Sequence, residues 1–455
     1  MSRIDNIEIF ERMPVPQAVK TMAIPTIIGQ LIVLFYNMAD TFFVGRTNNP
    51  LMVAGASLIL PVFNITLSFA GLAGIGGGAL ISRLLGHKQP EEASKVCSFS
   101  IYLSVLTAML FSIGVLLGME QLLHLLGAGL DTFAYARQYA LCVIVCGGVP
   151  TVLSNTLANL LRSTGESKKA AFGVTMGGLI NIALDPLFMF VLFPRGMEIV
   201  GAGMATCVSN CISCVYFILT IRGLGPDSVL KLFLPTRLPK GRNIAGIFAV
   251  GVPSAITTLL FDLDYVVIDR LMSGYGDIAL AAVGIVLKVE RLPLNIGVGI
   301  CQGMMPIVAY NYAAKNMKRM DETRRFSRMV GLACAAASIL LYELFASQIM
   351  SFFIADEQTV ALGTNFLRIR VLATPLMFLS FFHVYLFNGF GMGRRALFLG
   401  VTRWAVLNIP MQFLLNYLIG MYGIVWSQVT ADILTVTLSL YVYRKFQKEM
   451  KQLEA

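Results

Sequence analysis

At 455 residues, with 56% hydrophobic and 13% charged side chains and a mean hydropathy of +0.74, the chain is far more apolar than a soluble domain requires. A formal net charge of +10 would suit nucleic acid in a soluble protein; here the basic residues gather between apolar runs, which is membrane topology and speaks against a nucleic-acid partner. The opening stretch, residues 1–20, mixes both charge signs and lacks an apolar core followed by a small-residue cleavage site, so no removable signal peptide is expected. Apolar runs then follow near residues 15–44, 50–80, 95–118, 135–160, 168–193, 199–221, 243–272, 278–310, 327–350, 361–388, 396–419 and 422–443. Each is about long enough to cross a ~30 Å hydrocarbon layer as a helix, so the expected class is an all-α integral membrane protein with twelve transmembrane helices.

Placing the N-terminus in the cytoplasm puts twenty-six of the 35 basic residues on that side, against Arg46 and Arg195 on the other. Arg3, Arg83, Arg162, Arg237, Lys315 to Arg328 and Arg444 to Lys451 all contribute to the cytoplasmic group. Under the positive-inside rule this predicts a multi-pass protein with both termini cytoplasmic. Residues 51–88 align without gaps onto residues 278–315, and "STGESKKAAF" at 163–172 parallels "GFGMGRRALF" at 389–398. The chain is therefore expected to be duplicated: an N-lobe over 1–222 with helices 1–6, a polar, Pro/Gly-rich cytoplasmic linker over 223–242, and a C-lobe over 243–455 with helices 7–12 and a short basic tail. Copies an even number of helices apart share one membrane orientation, so a pseudo-two-fold axis along the membrane normal should relate them, an arrangement used by transporters.

The eight cysteines fall in or beside apolar segments and are read as small packing residues. "CVSNCISC" at 207–214 lacks the second ligand pair of a metal site. His87, His124 and His383 are scattered, with no ligand spacing and no nucleophile signature, so an enzyme is not expected. The Gly-rich "GLAGIGGGA" at 71–79 has no Walker lysine and reads as a close-packing helix face.

Carboxylates inside spans are costly and normally face protein, water or an ion. In "FYNMADTFFVGR", residues 35–46, Asp40 shares a helix face with Asn37, and in "NIALDPLFMF" Asn181 shares one with Asp185. Asp40 is the leading candidate; the alternative is a helix-end carboxylate capped by Arg46. Pro25 and Pro186 each free a helical carbonyl and favour bends. In the C-lobe, Asp262 and Asp264 of "TTLLFDLDYVVIDR" are candidates for a substrate-cation or second proton site, while Asp269 with Arg270 reads as a helix-end pair. Lys288, Glu290 and Arg291 form a charge cluster that could couple to them or compensate itself. Tyr36, Phe63, Phe69, Phe261, Tyr265, Met304, Met305, Phe381 and Phe382 are candidate cavity-lining residues, because aromatic faces and thioethers suit lipophilic cations.

These motifs, with "GAGMATCVSN" at 201–210 and "GICQGMMPIVAYNYAAKNMKR" at 299–319, resemble those of the multidrug and toxic compound extrusion (MATE) transporters, nearest the DinF-like and MepA-like bacterial branch. The resemblance covers nearly the whole chain. It implies two lobes around a V-shaped cavity, alternating access, and export of organic cations or amphipathic compounds from a bacterial cytoplasmic membrane in exchange for H+ or Na+. It also implies an N-lobe cation site at Asp40, Asn181, Asp185 and Thr206, supported by Asn37 and Tyr36. No cofactor and no metal other than Na+ at that site is expected, and the partners are small lipophilic or cationic substrates and membrane lipids around a functional monomer. The tenth span carries no carboxylate, which departs from the NorM-type relatives. A lipid-linked oligosaccharide flippase of the same broad superfamily is the alternative, kept open by Lys288 and Arg291.

Overall fold

In an apolar segment the helix is the backbone form that satisfies its own hydrogen bonds, and every expected run is helical. The structure, a computed structural model, describes residues 8–47, 49–225, 228–231 and 238–454. Arg3 and Arg237, positions 226–227 and 232–237 of the linker, and the side chain of Lys451 lie outside the described residues. The spans are α1 (Val15–Gly45), α2 (Pro50–Gly86), α3 (Pro90–Leu117), α4 (Leu130–Cys146 with Gly148–Ser163), α5 (Ser167–Leu192) and α6 (Glu198–Arg222). They continue with α7 (Gly241–Tyr275), α8 (Asp277–Ala313), α9 (Met317–Phe353), α10 (Glu357–Val371 with Thr374–Gly389), α11 (Gly393–Ile419) and α12 (Met421–Met450). Ten are continuous and long and apolar enough to cross a membrane; α4 and α10 complete twelve if each bent pair is one span. Among the described residues there is no β-strand.

The single runs expected at 135–160 and 361–388 are both broken, by 46° in α4 and 45° in α10. The break in α4 falls at Gly147 and that in α10 at Leu372–Ala373, so the two bends recur at the spacing of the internal repeat. A π-helical turn over Leu141–Cys146 leads into the first of them, and extra residues per turn are a usual source of such kinks. Helix α9 starts ten residues before its expected onset at 327, because its charged first turns pair along the helix: Arg324 and Arg325 reach Asp321 at 2.5 and 2.6 Å. Large apolar side chains such as Leu110, Leu219, Leu344 and Tyr417 cover the outward faces, as a lipid-facing surface requires.

Two seams join the halves, α1 against α8 and α2 against α7. Both depend on glycine: a Cβ on Gly303 would sit 2.6 Å from the Cα of Ala23, and one on Gly76 would sit 3.0 Å from the Cα of Gly251. Gly303→Val is therefore expected to wedge α1 from α8 and destabilise the protein by about 1–3 kcal/mol, readable as a lowered Tm in detergent.

The segment ahead of α1 also crosses between halves. Ile9 and Phe10 are buried, Phe10 stacks on Tyr310 of α8 at 5.2 Å, and Asn311 donates to the Phe10 carbonyl. Arg319 of α9 donates to the carbonyls of Ile9, Phe10 and Met13 at 3.0, 2.5 and 2.6 Å. Each such charged bond is worth about 1.5–3 kcal/mol, so Arg319→Ala should release residues 8–13, seen as faster hydrogen exchange there.

Candidate functional site

Helix α1 carries Tyr36 and Asp40, α4 carries Tyr139, Ser154 and Asn155, α5 carries Asn181 and Asp185, and α6 carries Thr206 and Asn210. A narrow cleft of about 40 Å³ opens between these four helices, lined by Tyr36, Asn155, Asn181, Thr206 and Asn210 among others. Glycine at 177 and 178 brings α5 close: a Cβ on Gly178 would lie 2.7 Å from Ile32 of α1.

Asp185 is fully buried, and Asn181 is 2% exposed. The Asn181 amide nitrogen donates to Asp185 Oδ1 and to Thr206 Oγ1, both at 3.4 Å, at the long end of hydrogen-bond distances. Asp40 is half-buried, and its Oδ2 accepts a 3.4 Å bond from the Tyr139 hydroxyl. Asp40 Oδ1, Asp185 Oδ2 and Asn181 Oδ1 are all buried without a hydrogen-bond partner. The two carboxyl groups are close enough to act on each other electrostatically, and no Lys or Arg forms an ion pair with either among the described residues. Arg46, the suggested cap for Asp40, instead lies over the Phe42 ring at 5.2 Å.

Buried oxygens that lack donors, two of them anionic, are what a proton or a hard cation can satisfy. The oxygens therefore fit a proton or a Na+ ion. Asn181, Asp185 and Thr206 form one hydrogen-bonded group, Tyr36 shares the cleft with Asn181 and Thr206, and Asp40 joins through Tyr139 and its field on Asp185. Asn37 is exposed and stands apart from it. Sequence reasoning missed Tyr139, Asn155 and Asn210; "SNTLANLL" and "CVSN" carried the signal, as amides recurring inside apolar runs.

In the C half, Lys288, Glu290 and Arg291 are not brought together. At ~100° per residue, Lys288 and Glu290 point to opposite sides of α8. Lys288 is exposed, Arg291 lies over the rings of Tyr265 and Phe261 at 4.8 and 5.8 Å, and Glu290 pairs with Arg370 of α10 in the interior. Asp262 is half-buried within the field of Arg291, whereas Asp264 is fully buried and accepts a 2.7 Å bond from Gln412 of α11. Asp269 and Arg270 are both exposed and form no ion pair with each other. Met304 and Phe382, suggested as cavity-lining, are fully buried packing residues, and His383 is buried against the Leu379 carbonyl and Ser439.

Twelve helical spans in two repeat-related sets, joined along glycine seams beside a polar cleft, define a multi-pass membrane transporter fold. The MatE family matches residues 25–187 and again 253–414, one copy in each half, and the chain belongs to that family. It is 29% identical to the Multidrug export protein MepA of Staphylococcus haemolyticus over 95% of this chain and 94% of the relative. It is 28% identical to the protein of the same name in Staphylococcus saprophyticus, over 95% of each. Among solved structures, an outward-facing multidrug resistance MATE family transporter superposes with a TM-score of 0.92 at 21% identity, over 98% of this chain and 99% of that one. A Vibrio cholerae MATE transporter, VcmN in a mutant form, gives 0.90 at 18% identity, over 96% and 97%.

Proposed function

We propose that this protein is a secondary multidrug efflux antiporter of a bacterial cytoplasmic membrane, exporting organic cations or amphipathic compounds in exchange for H+ or Na+ by alternating access. The observation that carries this reading is the group of unpartnered buried oxygens on Asp40, Asn181 and Asp185 beside an open cleft lined by Tyr36, Asn181 and Thr206. An ion satisfies those oxygens in one state, and its departure leaves a buried negative site that a cationic substrate in the cleft can relieve. Binding is thereby exclusive in turn, as exchange requires.

The staphylococcal relatives are named as multidrug exporters, which supports the substrate class. The working division is an N-lobe of 1–222, a linker of 223–242 and a C-lobe of 243–455, with both termini cytoplasmic, acting as a monomer among membrane lipids without a cofactor. The acidic, amide-rich cleft favours this reading over a flippase for pyrophosphate-linked sugars.

Purified protein in liposomes, loaded with a fluorescent organic cation and given a proton or a sodium gradient separately, tests the proposal. One of the two gradients should drive uphill movement of the cation; movement indifferent to both would refute antiport.

A further inference from the structure

At the end of the bundle that carries the basic loops, the contacts between the halves repeat with their charges reversed. Helices α3 and α9 start at Pro90 and Met317, 227 residues apart, which is the spacing of the internal repeat. The turns ahead of them match down to the backbone: Lys88 and Lys315, also 227 apart, both take a positive φ, 57° and 59°. The third residue of α3 is Glu92 and that of α9 is Arg319, and one turn further on stand Lys95 and Glu322. An acid followed by a base in one half is thus a base followed by an acid in the other.

Both third residues reach across to the opposite half and meet the leading end of its first helix. Glu92 is buried, and its Oε2 accepts from Asn243 Nδ2 at 2.8 Å and from the Lys240 backbone N–H at 3.4 Å, at the N-terminus of α7. Its Oε1 is held by Lys95 at 2.9 Å. Lys240, the N-cap residue of α7, makes no side-chain cap of its own, so the acceptor comes from the other half. Arg319 donates in the same way to the carbonyls of Ile9, Phe10 and Met13, ahead of α1. Each charge suits what it meets, an anion at the N–H donors that begin a helix and a cation at carbonyl oxygens. The axis relating the two bridges is marked by Gly86 of α2 and Ala313 of α8, which are repeat equivalents in contact: a Cβ on Gly86 would lie 2.9 Å from the Ala313 Cβ and would meet the Tyr310 carbonyl oxygen. Parting the halves about that axis separates α3 from α7 and α9 from α1 together.

We propose that Glu92 and Arg319 are paired latches that hold the cytoplasmic side shut, each fastening one half to the first helix of the other, and that both release in a single opening step. This rests on the transporter reading and its orientation, but hydrogen exchange of the full-length protein in detergent tests it without any ion or substrate, so failure of antiport is seen separately. If one opening breaks both bridges, removing either raises the open population at both. Glu92→Gln should therefore speed exchange about ten-fold or more not only in residues 243–248 beside it but also in 8–13, at the other latch, and in 307–313, at the axis. Arg319→Gln should do the same in 243–248. Residues 130–140, at the opposite end of the bundle, should exchange as in wild type. Asn243→Ala removes the same bond while leaving Glu92 paired with Lys95, and it decides the matter if Glu92→Gln fails to fold. Faster exchange confined to 243–248 in the Glu92 or Asn243 variant, no change at either latch, or an equal rise in 130–140 would each overturn the proposal.

Discussion

In proteoliposomes, Asp40→Asn is expected to reduce gradient-driven efflux of an organic cation by roughly 5–150-fold, the range that coupling free energies of ~1–3 kcal/mol produce. Binding of the same cation to the solubilised variant should survive. The reason lies in how little holds this carboxyl: one 3.4 Å bond from Tyr139, and a second oxygen buried with no partner. Asparagine keeps the shape and still accepts from Tyr139, but it cannot gain or lose charge with an ion. Were Asp40 a helix-end carboxylate, the substitution would leave efflux untouched. Tyr139→Phe removes only that bond and should cost about 0.5–1.5 kcal/mol, giving a smaller loss of transport.

The largest effect on stability is expected at the interior pair of α8 and α10. Arg370 is 1% exposed and Glu290 3% exposed; Arg370 Nε and Nη2 donate to the two Glu290 oxygens, while its Nη1 is buried without a partner. Arg370→Met removes the cation and leaves the Glu290 carboxylate without its countercharge, at a cost of about 3–5 kcal/mol. The double variant Glu290→Met with Arg370→Met should recover most of the loss, since it takes both charges away and fills the space with thioether side chains. Thermal unfolding of the three variants in one detergent measures the cycle. Equal losses in the single and double variants would show that the pair matters through shape rather than charge.

The repeating apolar runs made the helical plan legible in the sequence, and the gapless match of 51–88 to 278–315 made the duplication so. Breaks inside spans were harder. Gly147 and the Leu372–Ala373 step are followed closely by Pro150 and Pro375, so the mark of each bend lay in proline placement and not in hydrophobicity. The N-half group was legible because Asn181 and Asp185 are four apart on one helix, a spacing that itself implies contact. Tyr139 was not, since a tyrosine in an apolar run looks like packing until a carboxyl on another helix is seen beside it. The C half misled for the same reason: Lys288, Glu290 and Arg291 are neighbours in sequence but leave α8 in different directions. Glu290 instead pairs with Arg370 of α10, and Asp264 takes its bond from Gln412 of α11.

The central claim is that substrate and ion occupy the N-half site in turn, and equilibrium binding measures this most directly. A fluorescent organic cation should be titrated into the purified protein over a grid of pH and sodium concentration, with Asp185→Asn alongside. The account predicts that wild-type affinity falls as the coupling ion is raised, that bound ion is released in step with substrate uptake, and that both dependences vanish in Asp185→Asn. Substrate affinity independent of both pH and sodium in the wild type, or a dependence that persists unchanged in Asp185→Asn, would contradict it.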